Sequence, residues 1–195
     1  LKAAGLKEFQ LSIGHADFFL GLMEAAGLLE EQEEELRELI SNKNFFGVEE
    51  FVETLNLEEN LKKLFGMLGN LYTGSDELSA ARECAASYPR ILKAIGDLEE
   101  LHKILEVYEV SRYVSFELGT ISNYQYYTGI IFMGYTFGSG EAIVKGGRYD
   151  RLLTYFGKDS ASIGFAFVVD QLMAALQRQK IDVPVERCVE LMVYK

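Results

Sequence analysis

The sequence predicts an α+β fold in which an antiparallel sheet with flanking helices is interrupted by a helical insertion. Three observations predict this class: an alternating apolar and polar segment near the start, helical periodicity throughout residues 30–110, and β-rich segments from residue 111 onward. The chain of 195 residues is long enough for one domain that carries a large insertion and buries a sizeable apolar core.

The first element is a strand over residues 9–15, where apolar and polar side chains alternate. A helix follows, because apolar residues then recur three and four positions apart as far as Leu29. Asp17 is placed to cap the start of this helix, and Gly27 lies near its end.

The insertion over residues 30–110 is predicted to be helical throughout. Short breaks containing Gly or Ser separate segments whose apolar residues lie three or four positions apart. The predicted helices cover residues 31–40, 45–55, 57–68, 76–86 and 88–107. Pro89 suits the first turn of the last helix.

The remaining elements are mainly strands. Predicted strands cover residues 113–118, 126–137, 141–145 and 162–169. A Gly-Ser-Gly turn makes the second and third strands an antiparallel hairpin, and Gly146-Gly147 is expected to end the third. A short helix over 148–156 and a closing helix over 170–179 complete the pattern. Residues 184–195 are interpreted as a linker to a further part of the protein.

Charge is unevenly distributed along the chain, whose formal net charge is −11. Residues 1–110 hold 22 acidic and 10 basic side chains, whereas residues 111–195 hold 8 and 9. The Glu-rich start of the insertion is interpreted as a solvated helix face. Because nucleic-acid binding depends on Lys and Arg that neutralise phosphates, we expect no nucleic-acid partner.

The sequence lacks the motifs that are typical of several other classes of function. No apolar stretch reaches the length of a membrane span, so no membrane partner is expected. Cys84 and Cys188 have no metal-ligand spacing, which favours a reducing cytoplasmic location without a metal or cofactor. His15 and His102 are expected to be structural or surface residues. The sequence contains no Walker A motif, dinucleotide-binding fingerprint or nucleophile elbow.

Two segments rich in glycine and tyrosine form the candidate ligand site. Tyr126-Tyr127-Thr128-Gly129 starts the predicted long strand, and Gly146-Gly147-Arg148-Tyr149 lies at a predicted strand-to-helix turn. Glycine permits positive φ and a close approach of backbone to ligand, and tyrosine offers an apolar face with a hydroxyl. Such a site suits a small polar ring or an amino acid. The alternative is a glycine-rich turn beside aromatic core strands.

These two segments, followed by Ile163-Gly164-Phe165-Ala166, resemble histidyl-tRNA synthetase in order and spacing. The resemblance covers nearly the whole chain and implies the later half of a class II aminoacyl-tRNA synthetase-like domain, formed by residues 1–29 and 111–183. Residues 30–110 would take the place of that family's helical insertion. It also implies that motifs 1 and 2 lie upstream of Leu1, so the chain is expected to be a fragment. The implied candidate histidine pocket consists of Tyr126, Tyr127, Thr128, Gly129, Gly146, Gly147, Arg148 and Tyr149.

Two positions depart from the synthetase pattern. Aligning the tyrosines places Ser122 where the family has an arginine that helps to activate histidine. Gln171 stands where the family's third motif has an arginine that contacts ATP. Both changes remove a cation from a site where negative charge develops, so we expect synthetase activity to be lost and assign no catalytic residue.

The segments Phe116-Glu117-Leu118-Gly119 and Val168-Val169-Asp170-Gln171-Leu172 are similar instead to a synthetase-like family, the regulatory subunits of ATP phosphoribosyltransferase. That resemblance implies a non-catalytic subunit that assembles with the short catalytic subunit in the first step of histidine biosynthesis and takes part in feedback by histidine. It implies self-association of the full-length parent. It leaves open whether histidine binds the candidate pocket or a subunit interface. The alternatives are a histidyl-tRNA synthetase catalytic-domain fragment and another synthetase-like module such as a sensor domain.

Overall fold

The structure is a computed structural model that describes residues 1–74, 76–121 and 126–183. Ser122, the first position at which loss of a synthetase arginine is predicted, and the predicted linker 184–195 lie outside the described residues.

A six-stranded sheet organises the described part of the chain, with the strand order β2-β3-β1-β4-β5-β6. The strands are β1 Phe9–His15, β2 Leu71–Tyr72, β3 Val114–Glu117, β4 Ile130–Thr136, β5 Val144–Arg148 and β6 Ile163–Phe167. The predicted α+β class is therefore confirmed, but the sheet is mixed rather than wholly antiparallel. Strands β1 and β3 are parallel, and every other neighbouring pair is antiparallel.

The helical segment between β1 and β3 explains the parallel pair. Parallel neighbours need a long crossover connection, and a connection that leaves one end of β1 and returns beside its start supplies it. The prediction that this segment is helical throughout is wrong, because Leu71–Tyr72 pairs with β3 as the edge strand β2. Two residues are too few to show the period of a strand in the sequence.

The described residues form seven α-helices. They are α1 Ala16–Ala26, α2 Glu30–Ser41, α3 Phe45–Glu53, α4 Glu59–Gly66, α5 Ser79–Cys84, α6 Pro89–Val107 and α7 Val169–Arg178. Pro89 occupies the first turn of α6, as predicted, where its missing N–H leaves no hydrogen bond unmade. None of these helices is long and apolar enough to cross a membrane.

The cap of α1 differs from the prediction. His15, not Asp17, is the N-cap, because the imidazole Nδ1 accepts a hydrogen bond of 3.1 Å from the backbone N–H of Asp17. The Asp17 carboxylate instead accepts hydrogen bonds from the Arg90 guanidinium at the start of α6. Gly27 ends the helix in the left-handed conformation, at φ 58°, which glycine adopts without steric cost.

Element boundaries after residue 111 also shift. Strand β4 begins at Ile130 rather than at residue 126, and Gly146 and Gly147 lie within β5 instead of ending it. The predicted helix over 148–156 is reduced to a short 3₁₀ helix, Leu152–Phe156. Glycine is rare inside strands unless another group approaches the backbone closely, which is the case at both glycines.

The main core lies between one face of the sheet and helices α1 to α6. We call this the helical face; Ile13 and Phe116 lie on it and are 6% and 0% exposed. Strand β6 forms the opposite edge from β2, and its apolar side chains remain largely exposed. The other side of the sheet, called the open face, carries Ser12, Met133 and Lys145 in one row across β1, β4 and β5.

Candidate functional site

Three of the predicted site residues form a cluster of aromatic rings. The ring of Tyr126 lies 4.6 Å from that of Tyr127 and 5.9 Å from that of Tyr149, measured between centroids. The rings of Tyr127 and Tyr149 are 6.4 Å apart and meet edge to face. Such contacts fix the positions of tyrosine rings, so the cluster presents an ordered aromatic wall.

Two glycines on neighbouring strands form the floor beneath this cluster. Gly147 of β5 pairs with Gly164 of β6 in the antiparallel register. A Cβ atom on Gly147 would lie 2.6 Å from Cε1 of Tyr127, and one on Gly164 would overlap the Tyr149 hydroxyl. Gly129, Gly146 and Gly147 do not have positive φ values. The expectation that glycine stands here to permit a positive φ is therefore wrong for these three residues. The absence of a side chain at Gly147 instead lets an aromatic ring lie against the sheet.

Thr128, Gly129 and Arg148 bind other parts of the backbone and one another. The Thr128 N–H donates to the carbonyl of Arg148 at 2.9 Å, and the Gly129 carbonyl accepts from the N–H of Ala16 at 2.8 Å. Thr128 Oγ1 accepts from the N–H of Asp150, whose carboxylate in turn accepts from Arg148 Nε at 2.8 Å. These residues therefore hold the two segments together.

A cavity of about 410 Å³ lies on the open face beside Tyr127. Its polar lining includes Lys43, Glu117, Thr120, Tyr127, Tyr135 and Lys145. Gly146 also lines this cavity, whereas Thr128, Gly129 and Arg148 line a second cavity together with His15 and Asp97. The structure thus divides the predicted site residues between two places, and the open-face cavity is the one that Tyr127 of the tyrosine cluster lines.

Glu117 is a cavity residue that the site prediction missed. Its carboxylate accepts hydrogen bonds from Ser12 Oγ at 2.7 Å and from Lys43 Nζ at 2.9 Å. The side chain is only 8% exposed. Burial raises the pKa of the nearby Tyr135 hydroxyl; the positive charge of Lys43 lowers that pKa and the negative charge of Glu117 raises it. A charged residue within the apolar segment Val114–Leu118 was the available sequence signal, because buried carboxylates persist only when they are paired.

Gln171, the other position at which loss of a synthetase arginine is predicted, lies in the first turn of α7 and is half-buried. It is not among the residues that line the two cavities. The described residues contain no group of three or more His, Cys, Asp or Glu side chains that could hold a metal ion.

His15 connects the insertion to the sheet, in keeping with the structural role expected for it. Its Nε2 lies 3.3 Å from the carboxylate of Asp97 in α6, which also pairs with Lys93. Burial lowers the pKa of His15 from its ordinary value of 6.5, against the negative charges of Asp97 and Asp17, which raise it. The folded protein therefore favours the neutral imidazole.

This pKa shift predicts a loss of stability in acid. Below pH 6.5 the unfolded chain binds a proton at His15 more readily than the folded chain, so the free energy of unfolding falls as the pH falls. The slope from this one group reaches at most about 1.4 kcal/mol per pH unit. His15→Asn retains a capping acceptor without the titration. Urea unfolding at about pH 7.5 and about pH 5.5 should give a smaller difference for His15→Asn than for the wild type; equal differences would contradict the assignment.

The sequence profile of the histidyl-tRNA synthetase family matches residues 1–172. The ATP phosphoribosyltransferase regulatory subunit of Acetivibrio thermocellus is 41% identical over 198 residues, which cover 100% of this chain and 46% of the relative. The protein of the same name from Caldanaerobacter subterraneus is 39% identical over 179 residues, covering 92% and 47%. This chain thus spans about half the length of the curated relatives it matches.

A solved structure described as an ATP phosphoribosyltransferase regulatory subunit/histidyl-tRNA synthetase from Bacillus halodurans has the same fold. It superposes with a TM-score of 0.76 at 34% identity, covering 90% of this chain and 46% of that one. This similarity confirms the predicted synthetase-like architecture.

Proposed function

The chain belongs to the histidyl-tRNA synthetase family, and from this premise we propose that it is part of a non-catalytic regulatory subunit of ATP phosphoribosyltransferase. The observation that carries the proposal is the 41% and 39% identity to two proteins of that name over nearly the whole chain. In this role the intact protein assembles with the short catalytic subunit in the cytoplasm and is needed for its activity. The reaction concerned is the first step of histidine biosynthesis.

Loss of synthetase chemistry follows from the two replaced positions. Amino-acid activation concentrates negative charge on the attacking carboxylate and on the phosphates of ATP. Gln171 is uncharged, and so is Ser122, so neither position supplies a cation to that charge. Removing one preorganised donor from such a site lowers the rate by about 10²–10³. Two losses together would leave no useful activation of histidine.

Histidine is the proposed feedback ligand, and the tyrosine cluster with its adjoining cavity is the proposed binding site. The cavity of about 410 Å³ is large enough for a free amino acid. Tyr127 offers an aromatic face, and Glu117 and Lys145 offer charges of opposite sign. In the proposed role the intact protein also self-associates and does not charge tRNA.

Reconstitution with the short catalytic subunit tests this function. We expect the intact protein to co-purify with that subunit, to raise formation of phosphoribosyl-ATP, and to make the reaction sensitive to L-histidine. We also expect no histidine-dependent ATP–pyrophosphate exchange from the intact protein, with an active histidyl-tRNA synthetase as the positive control. Robust exchange without any effect on the transferase would replace the proposal by the synthetase alternative.

A further inference from the structure

The helical insertion supplies one wall of the open-face cavity. Ile40 and Ser41 at the end of α2, with Lys43 in the turn between α2 and α3, line the cavity together with residues of β3, β4 and β5. The turn is held by its own backbone, since the N–H of Lys43 donates to the carbonyl of Ile40 and that of Asn44 to the carbonyl of Leu39. The ion pair of Lys43 with Glu117 adds a link from this turn to β3 of the sheet.

Lys43 occupies a backbone conformation that suits glycine or asparagine better than lysine. Its φ is 55°, in the left-handed region, where a side chain with a Cβ atom is disfavoured. The lysine side chain has a contact that neither smaller residue could make, because Nζ reaches the Glu117 carboxylate at 2.9 Å. The same conformation follows the ends of α6 and α7, at Glu109 and Lys180, so it marks the end of α2, and the reach of the lysine side chain is what brings its charge to the cavity.

The two partners of this ion pair differ greatly in burial. The Glu117 side chain is 8% exposed and the Lys43 side chain 60% exposed. A buried carboxylate without a cation is strongly unfavourable, whereas an exposed ammonium can return to water at little cost. Lys43 is thus the exchangeable partner, and another cation that enters the cavity can take its place at Glu117.

A second cation lies on the opposite side of the cavity. Lys145 lies in the same row as Met133 and Ser12 on the open face. Within the part of the chain that the structure describes, no ion pair is found for Lys145. The cavity accordingly combines a carboxylate with a replaceable cation, a second ammonium group and tyrosine rings. This set matches a small molecule that carries an amine and a carboxylate.

We propose that an amine-bearing ligand in this cavity displaces Lys43 from Glu117 and thereby releases the turn between α2 and α3 from the sheet. The inference rests on the proposed regulatory function, which provides L-histidine as such a ligand. Release is confined to the turn, because the buried side chains of α2 and the pairing of β2 with β3 keep the rest of the insertion in place. Ser12 Oγ already donates to Oε2 of Glu117 and Lys43 Nζ to Oε1, so an incoming amine competes with Lys43 for Oε1.

Three ligands and two variants test this exchange in the intact protein. The probes are L-histidine, histamine, which keeps the amine without the carboxylate, and imidazole-4-propionate, which keeps the carboxylate without the α-amine. Hydrogen exchange at the amides of Lys43 and Gly47 reports the turn. We expect L-histidine and histamine to speed exchange there and imidazole-4-propionate to leave it unchanged.

Binding by calorimetry supplies the second measurement. Lys43→Met removes the competing cation, so L-histidine should bind roughly fivefold to tenfold more tightly than to the wild type. Lys43→Arg keeps the cation and should bind as the wild type does. Equal affinity for the wild type and Lys43→Met, or no binding of any probe, would overturn the inference. Neither result bears on transferase activation, which the reconstitution assay decides separately.

Discussion

Gly147→Ala is expected to destabilise the protein by roughly 1–3 kcal/mol and to disrupt the tyrosine cluster. The new methyl group would lie 2.6 Å from both the Tyr127 ring and the carbonyl oxygen of Ile130. The ring could move, but the carbonyl belongs to β4, which is held between β1 and β5. Either the strands separate or Tyr127 leaves its place beside Tyr126 and Tyr149.

Urea unfolding measures the stability change, and calorimetry with L-histidine measures the effect on the proposed pocket. Gly96→Ala is the matched control, because Gly96 lies inside α6 and a Cβ atom there would meet no atom closer than 3.8 Å. Alanine favours helix over glycine, so that variant should be more stable by up to about 1 kcal/mol. If Gly147→Ala were as stable as the wild type, the sheet could accept the methyl group. The explanation that Tyr127 needs the space above Gly147 would then be wrong.

Phe116→Ala is expected to cost about 3–5 kcal/mol of the free energy of unfolding. Phe116 is fully buried, pairs with Ile13 and Tyr72 across neighbouring strands, and meets the His102 ring of α6 at 5.7 Å. Its side chain thus contacts the sheet and the insertion together. A domain's total stability is typically about 5–15 kcal/mol, so a loss of this size would leave a marginal fold.

Chemical denaturation checks this prediction, with Phe46→Ala as its control. Phe46 lies in α3 and is 70% exposed, and its replacement removes the same side chain as Phe116→Ala does. Its replacement should alter the free energy of unfolding by no more than about 0.5 kcal/mol. Similar losses of the free energy of unfolding in the two variants would mean that Phe116 does not link the sheet to the insertion.

Much of the local structure could be predicted from the sequence. The alternation over residues 9–15 matches β1, and the helical spacing with Pro89 matches α6. Predictions were less accurate where a local pattern had two interpretations. Gly146-Gly147 reads locally as a strand end, yet it lies within β5 because an aromatic ring from another segment takes the space of the missing side chain. No feature of its sequence neighbours indicates that ring.

The candidate site, too, could be predicted only in part, because some of its residues come together from distant parts of the chain. The sequence indicated the tyrosines and glycines, since the two segments carry a pattern of their own. The charge of Glu117 within an apolar segment was a signal for that residue alone, and it did not indicate the partners Ser12 and Lys43, which lie 105 and 74 residues away. A buried carboxylate is stable only through such partners, and their approach depends on strand register and on the position of the insertion.

The sequence by itself determined the α+β class, the order of most elements and the family resemblance, because each depends on periodicity or on contiguous motifs. Only the tertiary structure decided that β1 and β3 run parallel, that Thr128 and Arg148 secure the backbone while Tyr127 faces the cavity, and that Lys43 reaches Glu117. These features depend on contacts between residues far apart along the chain. Such contacts form because packing and charge pairing are favourable in three dimensions, and they leave no repeating pattern in the sequence around either partner.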